Sequence, residues 1–234
     1  MTWYTLFFLL ALFICLASLT YHIRFLLKSG NTPDYAPPSG SIPAGIQYSF
    51  TGAMSPVKKE SAFLHLPTYT AGMIYHLGTF LSVFLIFILW ADVILPPALS
   101  WGLASFLLVS ALCGIGILVK RMLKKSLRKL SNPDDYISNI LVTAFQLLMG
   151  LALAVSSKFT PWLFLAAGLL LLYIPLGKLK HLLYFFAARW QLGLFYGRRG
   201  VWPPNNGINP GANTGPWFRS KLGIYRERLN NKKP

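Results

Sequence analysis

Four histidines are the residues of this chain with the clearest capacity for chemistry. His76 lies in the apolar stretch GMIYHLGTF, and His181 lies in LGKLKHLLYFF, near the end of another apolar run. An ionisable side chain is costly in apolar surroundings, so an imidazole there indicates a role such as ligating a metal or bonding a neighbouring helix. His22 and His65 lie at the ends of apolar runs, where a histidine needs no special role.

Five apolar runs must position these histidines. Of the 234 residues, 54% are hydrophobic and 12% are charged, whereas a soluble domain carries about 25% charged residues. Each run is about 20 residues long, enough to cross a ~30 Å hydrocarbon layer. The sequence therefore predicts an all-α integral membrane protein, a five-transmembrane-helix bundle, with spans at 3–23, 69–91, 97–119, 136–156 and 160–186.

The basic residues predict an orientation for this bundle. The formal net charge is +16, and 21 of the 22 Lys and Arg fall on one face of the alternating spans, with Lys158 alone on the other. Because basic residues are retained on the cytoplasmic side, we expect the N-terminus outside and the C-terminus in the cytoplasm. The charge mostly sets the topology and leaves a basic cytoplasmic surface for anionic membrane lipid or an acidic partner. We therefore expect no nucleic-acid partner.

The segments between the spans complete the predicted organisation. Helix 1 is followed by a Pro- and Gly-rich arm with little helical periodicity, and the chain ends in a basic tail. Between helices three and four, KRMLKKSLRKL predicts an amphipathic extension of helix three, and Ser131 or Asn132 is the predicted N-cap of helix four. The predicted parts are transmembrane helix 1 (1–23), a cytoplasmic arm (24–65), a four-helix membrane core (66–190) and a cytoplasmic tail (191–234).

This topology brings two of the histidines to a similar depth. Helix two enters from the cytoplasmic side near residue 66, so His76 lies about ten residues, or ~15 Å, into the layer. Helix five runs the opposite way, and His181 lies toward its cytoplasmic end. Two imidazoles that face each other at one depth in a helical bundle suit the two axial positions of a haem iron. The pattern is therefore compatible with a haem held between His76 and His181.

The neighbours of the two histidines suit a flat macrocycle. Gly72 and Gly78 would let it approach helix two, and Tyr75 and Phe80 would pack against its edges. Pro175 would kink helix five and aim the second ligand. Three basic residues near His181 are placed to receive the propionates, namely Lys178, Lys180 and Arg189.

Other interpretations stay open at this point. A lone membrane histidine often bonds a neighbouring helix or lines a polar path. His65 and His76 are eleven residues apart and lie on nearly the same helix face, so a second haem held by His65 and His22 is geometrically feasible. The competing functions are a haem-free membrane anchor for a soluble enzyme and a small transporter with His76 in its path. Cys15 and Cys113 fall inside spans, so neither a disulfide framework nor a thiolate cluster is expected.

Three stretches resemble a known family. TYTAGMIYHLGTF, NPDDYISNILV and LGKLKHLLYFFAARWQLGLFYGRRGVWPP are similar to the gamma subunit of respiratory nitrate reductase and its relatives, which are five-helix membrane cytochromes b. The last stretch looks most like the DsrM-type subunit of the membrane redox complexes of sulfur and sulfate metabolism. The resemblance covers about residues 66–204.

The resemblance implies one haem where the nitrate reductase subunit has two. The family's pattern has two histidines ten apart on helix two and two histidines eighteen apart on helix five. His76 and His181 match one of each pair, whereas Ile86 and Leu163 stand at the other two positions and cannot ligate iron. In the family the absent pair serves the haem nearer the outer face. The resemblance therefore implies a single bis-histidine haem b on the cytoplasmic side.

The family's quinol site adjoins the outer haem that this chain lacks. Trp90, Asp92 and Lys158 near the predicted outer surface are either remnants of a polar pocket or interface anchors. A quinone pocket beside the remaining haem, involving His65, is the other interpretation.

The resemblance also implies a function and partners. The chain would be the electron-transfer subunit of a quinone-linked oxidoreductase in the bacterial cytoplasmic (inner) membrane, in dissimilatory sulfur metabolism. Electrons would pass between the quinone pool and a cytoplasmic iron–sulfur protein of the heterodisulfide-reductase type, with further membrane or periplasmic redox subunits as partners. No catalytic site for the terminal substrate is expected in this chain.

Overall fold

The computed structural model describes residues 2–29, 35–55 and 65–204, and within these residues the fold is helical with no strand. Short 3₁₀ helices lie at Gly52–Met54, Ser157–Phe159 and Lys178–Lys180. The α-helices are α1 (Trp3–Ser29), α2 (Ile42–Phe50), α3 (Leu66–Trp90), α4 (Pro97–Leu123), α5 (Lys125–Leu130), α6 (Pro133–Ala154), α7 (Thr160–Tyr173) and α8 (His181–Arg198).

Four of these helices are long and apolar enough to cross a membrane, namely α1, α3, α4 and α6. The pair α7–α8 makes a fifth span if its two halves count as one. These helices support the predicted all-α membrane protein.

The predicted fifth span, 160–186, is not one continuous helix. α7 ends at Tyr173, α8 begins at His181, and the helices on the two sides of the break are bent by 75°. Pro175 lies in the break, where a residue without a backbone N–H and with a fixed φ interrupts the helical hydrogen bonds. The kink expected at Pro175 is therefore confirmed.

Helix ends follow the capping signals of the sequence. Asn132 is the N-cap of α6, and its side chain and that of Asp135 form a reciprocal capping box, with Pro133 in the first turn. The basic loop differs from the expected extension of helix three, because Lys124 adopts an extended conformation and ends α4 at Leu123. The sequence KSLRKL then forms the separate helix α5.

The described residues divide into two compact units. The first contains α1, α3 to α7 and the start of α8, and the second contains α2 and α8 from Ala187 onward. In the first unit α4 packs against α3 and α6, and α7 packs against α1 and α6. Its buried core includes Phe8, Leu107, Phe145, Met149 and Phe164.

The second unit joins two segments that are far apart in sequence. The arm, which we expected to be irregular, contains α2, and this helix lies against α8 where Gly45 meets Gly193 and Gly197. A Cβ atom on any of these glycines would collide with backbone atoms of the other helix, so small residues permit the close approach. The buried Ser49 hydroxyl donates to the Arg189 carbonyl at 2.7 Å.

Candidate functional site

His76 projects from the exposed side of α3. The opposite side of this helix is buried at Gly78, Ser82, Leu85 and Ile86. The exposed residues Met73, His76, Leu77, Phe80 and Phe84 recur at helical spacing, and we call this side the open face of α3. Phe80 therefore shares a face with His76, as the sequence predicted.

A buried polar network fixes the rotation of α3. Gln146 on α6 is fully buried, and its Nε2 donates to the Tyr75 carbonyl at 2.9 Å and to Thr79 Oγ1 at 2.7 Å. Its Oε1 accepts a hydrogen bond of 2.8 Å from Ser110 Oγ on α4. Because buried polar groups are costly unless paired, these bonds hold one side of α3 against α4 and α6. The next residue, His76, is thereby directed away from them.

Tyr75 lies on the packed side of α3. The sequence had suggested instead that it would pack against the edge of a macrocycle beside His76. Its hydroxyl lies 2.9 Å from Thr143 Oγ1 and donates to the Asn139 carbonyl at 3.0 Å, both on α6. A residue next to His76 in sequence lies about 100° away around a helix, so Tyr75 belongs to the packed side.

The two glycines near His76 differ in their surroundings. A Cβ atom on Gly78 would collide with the Ser110 side chain, so Gly78 serves the contact between α3 and α4 and does not admit a macrocycle. A Cβ atom on Gly72 would meet no atom within 4 Å. Gly72 lies four residues before His76 and so shares its side of α3. Of the two glycines, only Gly72 fits the expected role.

His181 is the first residue of α8, directly after the break. Its Nδ1 lies 2.8 Å from the Lys178 carbonyl oxygen. If Nδ1 carries the proton and donates to that carbonyl, Nε2 keeps its lone pair free for a metal, which is the usual arrangement of a metal-ligating histidine. The side chain is exposed, so Nε2 is accessible.

The turn before His181 is held by two carboxylates at the start of α6. The Lys178 backbone N–H donates to Asp134 Oδ2 at 2.7 Å, and the Tyr173 hydroxyl also bonds Asp134. The Lys178 ammonium pairs with Asp135, which also pairs with Arg121 at 3.1 Å. These contacts fix the carbonyl that orients His181.

The same ion pair gives Lys178 a structural role that the sequence did not suggest. The Lys178 ammonium pairs with Asp135 and helps to position the turn, and its role toward a propionate stays a prediction. Arg189 belongs to the second unit, and its role toward a propionate stays a prediction.

His76 and His181 are brought together within the first unit. Their side chains are close enough for a charge on one imidazole to act on the other. The described residues contain no group of three or more His, Cys, Asp and Glu that would hold a bare metal ion. A porphyrin supplies its own equatorial nitrogens, so two protein imidazoles are sufficient ligands for its iron. The residues present therefore fit a haem.

The other two histidines differ in where they lie relative to this pair. The His22 ring on α1 lies 6.4 Å from the Tyr184 ring on α8, between centroids, so His22 approaches the first turn of α8. His65 is the N-cap of α3 and is exposed, eleven residues or ~16 Å along the axis from His76. His65 and His76 therefore cannot bind one iron together, and the second haem on His22 and His65 stays a prediction.

The positions that lack the family's outer histidines are filled by packing. Ile86 and Leu163 are 2% and 0% exposed and belong to one apolar core cluster. Trp90, Asp92 and Lys158 are exposed, which fits either interpretation offered for them.

Sequence reasoning missed the network that orients α3. Its signal was present, since Asn139, Thr143 and Gln146 are spaced four and three residues apart and so share one side of an otherwise apolar helix. A polar stripe on a membrane helix indicates bonding to a neighbouring helix.

Comparison with known proteins gives no match: no family model, no curated protein and no solved structure is similar to this chain.

Proposed function

We propose that the chain is a membrane cytochrome b subunit that holds one haem b between His76 and His181. In this proposal it transfers electrons between the quinone pool and a cytoplasmic iron–sulfur protein of the heterodisulfide-reductase type, in the bacterial inner membrane. The dissimilatory sulfur pathway and the partner type rest on the resemblance of residues 66–204 to the nitrate reductase gamma subunit and DsrM-type subunits.

The observation that supports the proposal is that His76 and His181 lie within electrostatic range of each other. They come from helices separated by about a hundred residues, and a charge on the His181 ring would act on the His76 ring. Ionisable rings are costly to place in an apolar span, and ligation of one haem iron by both would account for their position.

The residues of this chain have distinct roles in the proposal. His76 supplies one ligand from the open face of α3, and His181 supplies the other through Nε2, with Nδ1 directed to the Lys178 carbonyl. Gly72 leaves room beside His76. A bound haem b supplies reversible one-electron transfer, and the surrounding apolar helices supply a low-dielectric environment.

The orientation and the partner surfaces follow from the charge distribution. With 21 of 22 basic residues on one face, we place the N-terminus outside and the C-terminus in the cytoplasm. The arm, the basic helix α5 and the tail then lie on the side where a cytoplasmic iron–sulfur protein docks. A quinone site involves either His65 or the outer residues Trp90, Asp92 and Lys158. The chain holds no site for the terminal substrate in this proposal.

The test is a dithionite-reduced minus oxidised spectrum of the purified full-length protein. We expect a haem b spectrum with one haem per chain by pyridine haemochrome assay. His76→Ala and His181→Ala should each remove the haem signal, because a b-type haem has no covalent link to retain it. A haem-free anchor or a transporter would give a colourless protein, and that result would end the proposal.

His22→Ala and His65→Ala are the matched controls. Each removes one imidazole at a predicted membrane interface, and each should leave one haem per chain. Two haems in the wild-type protein, with one lost in these variants, would replace the single-haem proposal by the two-haem alternative.

A further inference from the structure

A second polar site lies in the first unit, at the end of the bundle where α3 begins and α4 ends. A pocket of about 210 Å³ opens there. This volume is below the ~300 Å³ at which pockets begin to hold drug-sized molecules, so it suits a small group or one part of a larger molecule. Its lining consists of Thr68, Ile117, Lys120, Arg121, Leu127, Leu130 and Ser131.

The polar half of the pocket is cationic. Lys120 bonds the Thr68 hydroxyl, and Arg121 NH1 donates to Ser131 Oγ at 3.2 Å. Arg121 also pairs with Asp135. Among the described residues Lys120 has no carboxylate partner, so its side chain is available to an anionic ligand.

The charge around the pocket is strongly unbalanced. The end of α4 and α5 carry six basic residues, namely Lys120, Arg121, Lys124, Lys125, Arg128 and Lys129. The structure describes three carboxylates in all: Asp92 follows the other end of α3, Asp134 bonds the turn before His181, and Asp135 is shared by Arg121 and Lys178. The excess positive charge favours an anion.

The apolar half of the pocket favours an anion that also carries an apolar chain. Ile117, Leu127 and Leu130 form this wall, and Leu130 is 84% exposed beside it. An inorganic ion gains nothing from exposed leucines, whereas an acyl chain does. The pocket also lies at the end of two helices long enough to cross the membrane, and the ends of helices that cross a bilayer meet the phospholipid headgroups.

From this combination we propose that the pocket binds the phosphodiester headgroup of an anionic phospholipid. The phosphate accepts hydrogen bonds from Lys120 and Thr68, and the first part of an acyl chain lies against Ile117 and Leu130. Basic pockets between transmembrane helices bind such headgroups in other membrane proteins. The proposal is independent of the haem, because neither His76 nor His181 lines the pocket.

The test is lipid retention by the purified full-length protein after reconstitution in a one-to-one mixture of phosphatidylglycerol and phosphatidylcholine. Native mass spectrometry then counts the lipids that stay bound. We expect the wild type to retain phosphatidylglycerol selectively. Lys120→Gln should lower that retention about fivefold, because one basic contact near the headgroup is lost. Ile117→Trp fills the pocket without changing the charge and should lower it at least as much.

Lys124→Gln is the matched control, since it removes the same charge four residues away and does not line the pocket. Lys120→Arg keeps the charge and should retain the lipid. Equal losses in Lys120→Gln and Lys124→Gln would show diffuse attraction and overturn the site. Displacement of the lipid by excess inorganic phosphate would show a site for the free anion and overturn the lipid proposal.

Discussion

The two sides of α3 show how one helix serves two purposes. The side that carries Tyr75 and Gly78 is closed by hydrogen bonds and close packing from α4 and α6. The open face, which carries His76, is exposed and apolar around its single imidazole. A membrane helix that bonds its neighbours on one side is fixed in rotation, so it can present a ligand on the other. The residues of the packed side therefore determine which way His76 points, although none of them belongs to the site.

Substitutions at Gly78 and Gly72 should show the largest difference between the two sides of α3. Gly78→Leu places a side chain where Ser110 already lies, and we expect a loss of about 3 kcal/mol in the free energy of unfolding. Gly72→Leu enters open space and should leave that free energy unchanged while lowering haem content. Unfolding in mixed micelles and the haem spectrum measure the two effects. Equal destabilisation by both substitutions would contradict the distinction between the two sides.

Removal of Gln146 should have a smaller effect on the same side. Gln146→Leu deletes three hydrogen bonds, and membrane hydrogen bonds contribute about 0.6 kcal/mol each on average, so we expect a loss of about 2 kcal/mol. The same unfolding experiment measures it. Phe84→Leu on the open face is the control and should be close to neutral, since Phe84 is 63% exposed. We also expect Gln146→Leu to broaden the haem signal, because α3 would no longer be held in one rotation.

The smallest expected effect is that of Lys178→Gln. It distinguishes a role of Lys178 in the ion pair with Asp135 from a role as propionate partner. Its ion pair with Asp135 is partly exposed, and such pairs contribute about 0 to 1 kcal/mol, so Lys178→Gln should cost at most about 1 kcal/mol and leave haem content unchanged. Lys125→Gln, at an exposed lysine of α5, is the control. A loss of haem in Lys178→Gln without a change in the free energy of unfolding would support the propionate role that the sequence suggested.

Local signals in the sequence predicted much of this fold. Apolar runs located the spans, Pro175 located the break, and Asn132, one of the two predicted N-caps, located the start of α6, because each of these depends on residues a few positions apart. The matched depths of His76 and His181 were predicted from span direction alone, and the electrostatic interaction between their side chains is compatible with that prediction. Membrane depth and haem binding both stay predictions.

The errors came from interactions between distant residues. Tyr75 and Gly78 were assigned to the side of His76, because the sequence fixes the spacing along a helix but not which side meets a neighbour. The pairing of Lys178 with Asp135 joins residues 43 apart, and α2 is held by glycines on α8 about 150 residues later. Neither contact has a local signature, although the Gly193-to-Gly197 spacing is typical of a close helix crossing.

The connection between α7 and α8 has a consequence for how this chain tolerates change. Each residue added to or removed from a helix turns everything beyond it by ~100°, but here Asp134 holds the turn from outside, through the backbone N–H of Lys178. Residues 174–177 therefore have a fixed length to cover. An insertion among them would leave the contact between His181 and the Lys178 carbonyl intact, because both residues follow the insertion. It would pull the Lys178 N–H away from Asp134 and so shift His181 relative to His76. In this molecule the number of residues in the irregular segment therefore matters as well as the identity of Pro175 and of Gly177, where a Cβ atom would collide with Tyr173 and Asp134.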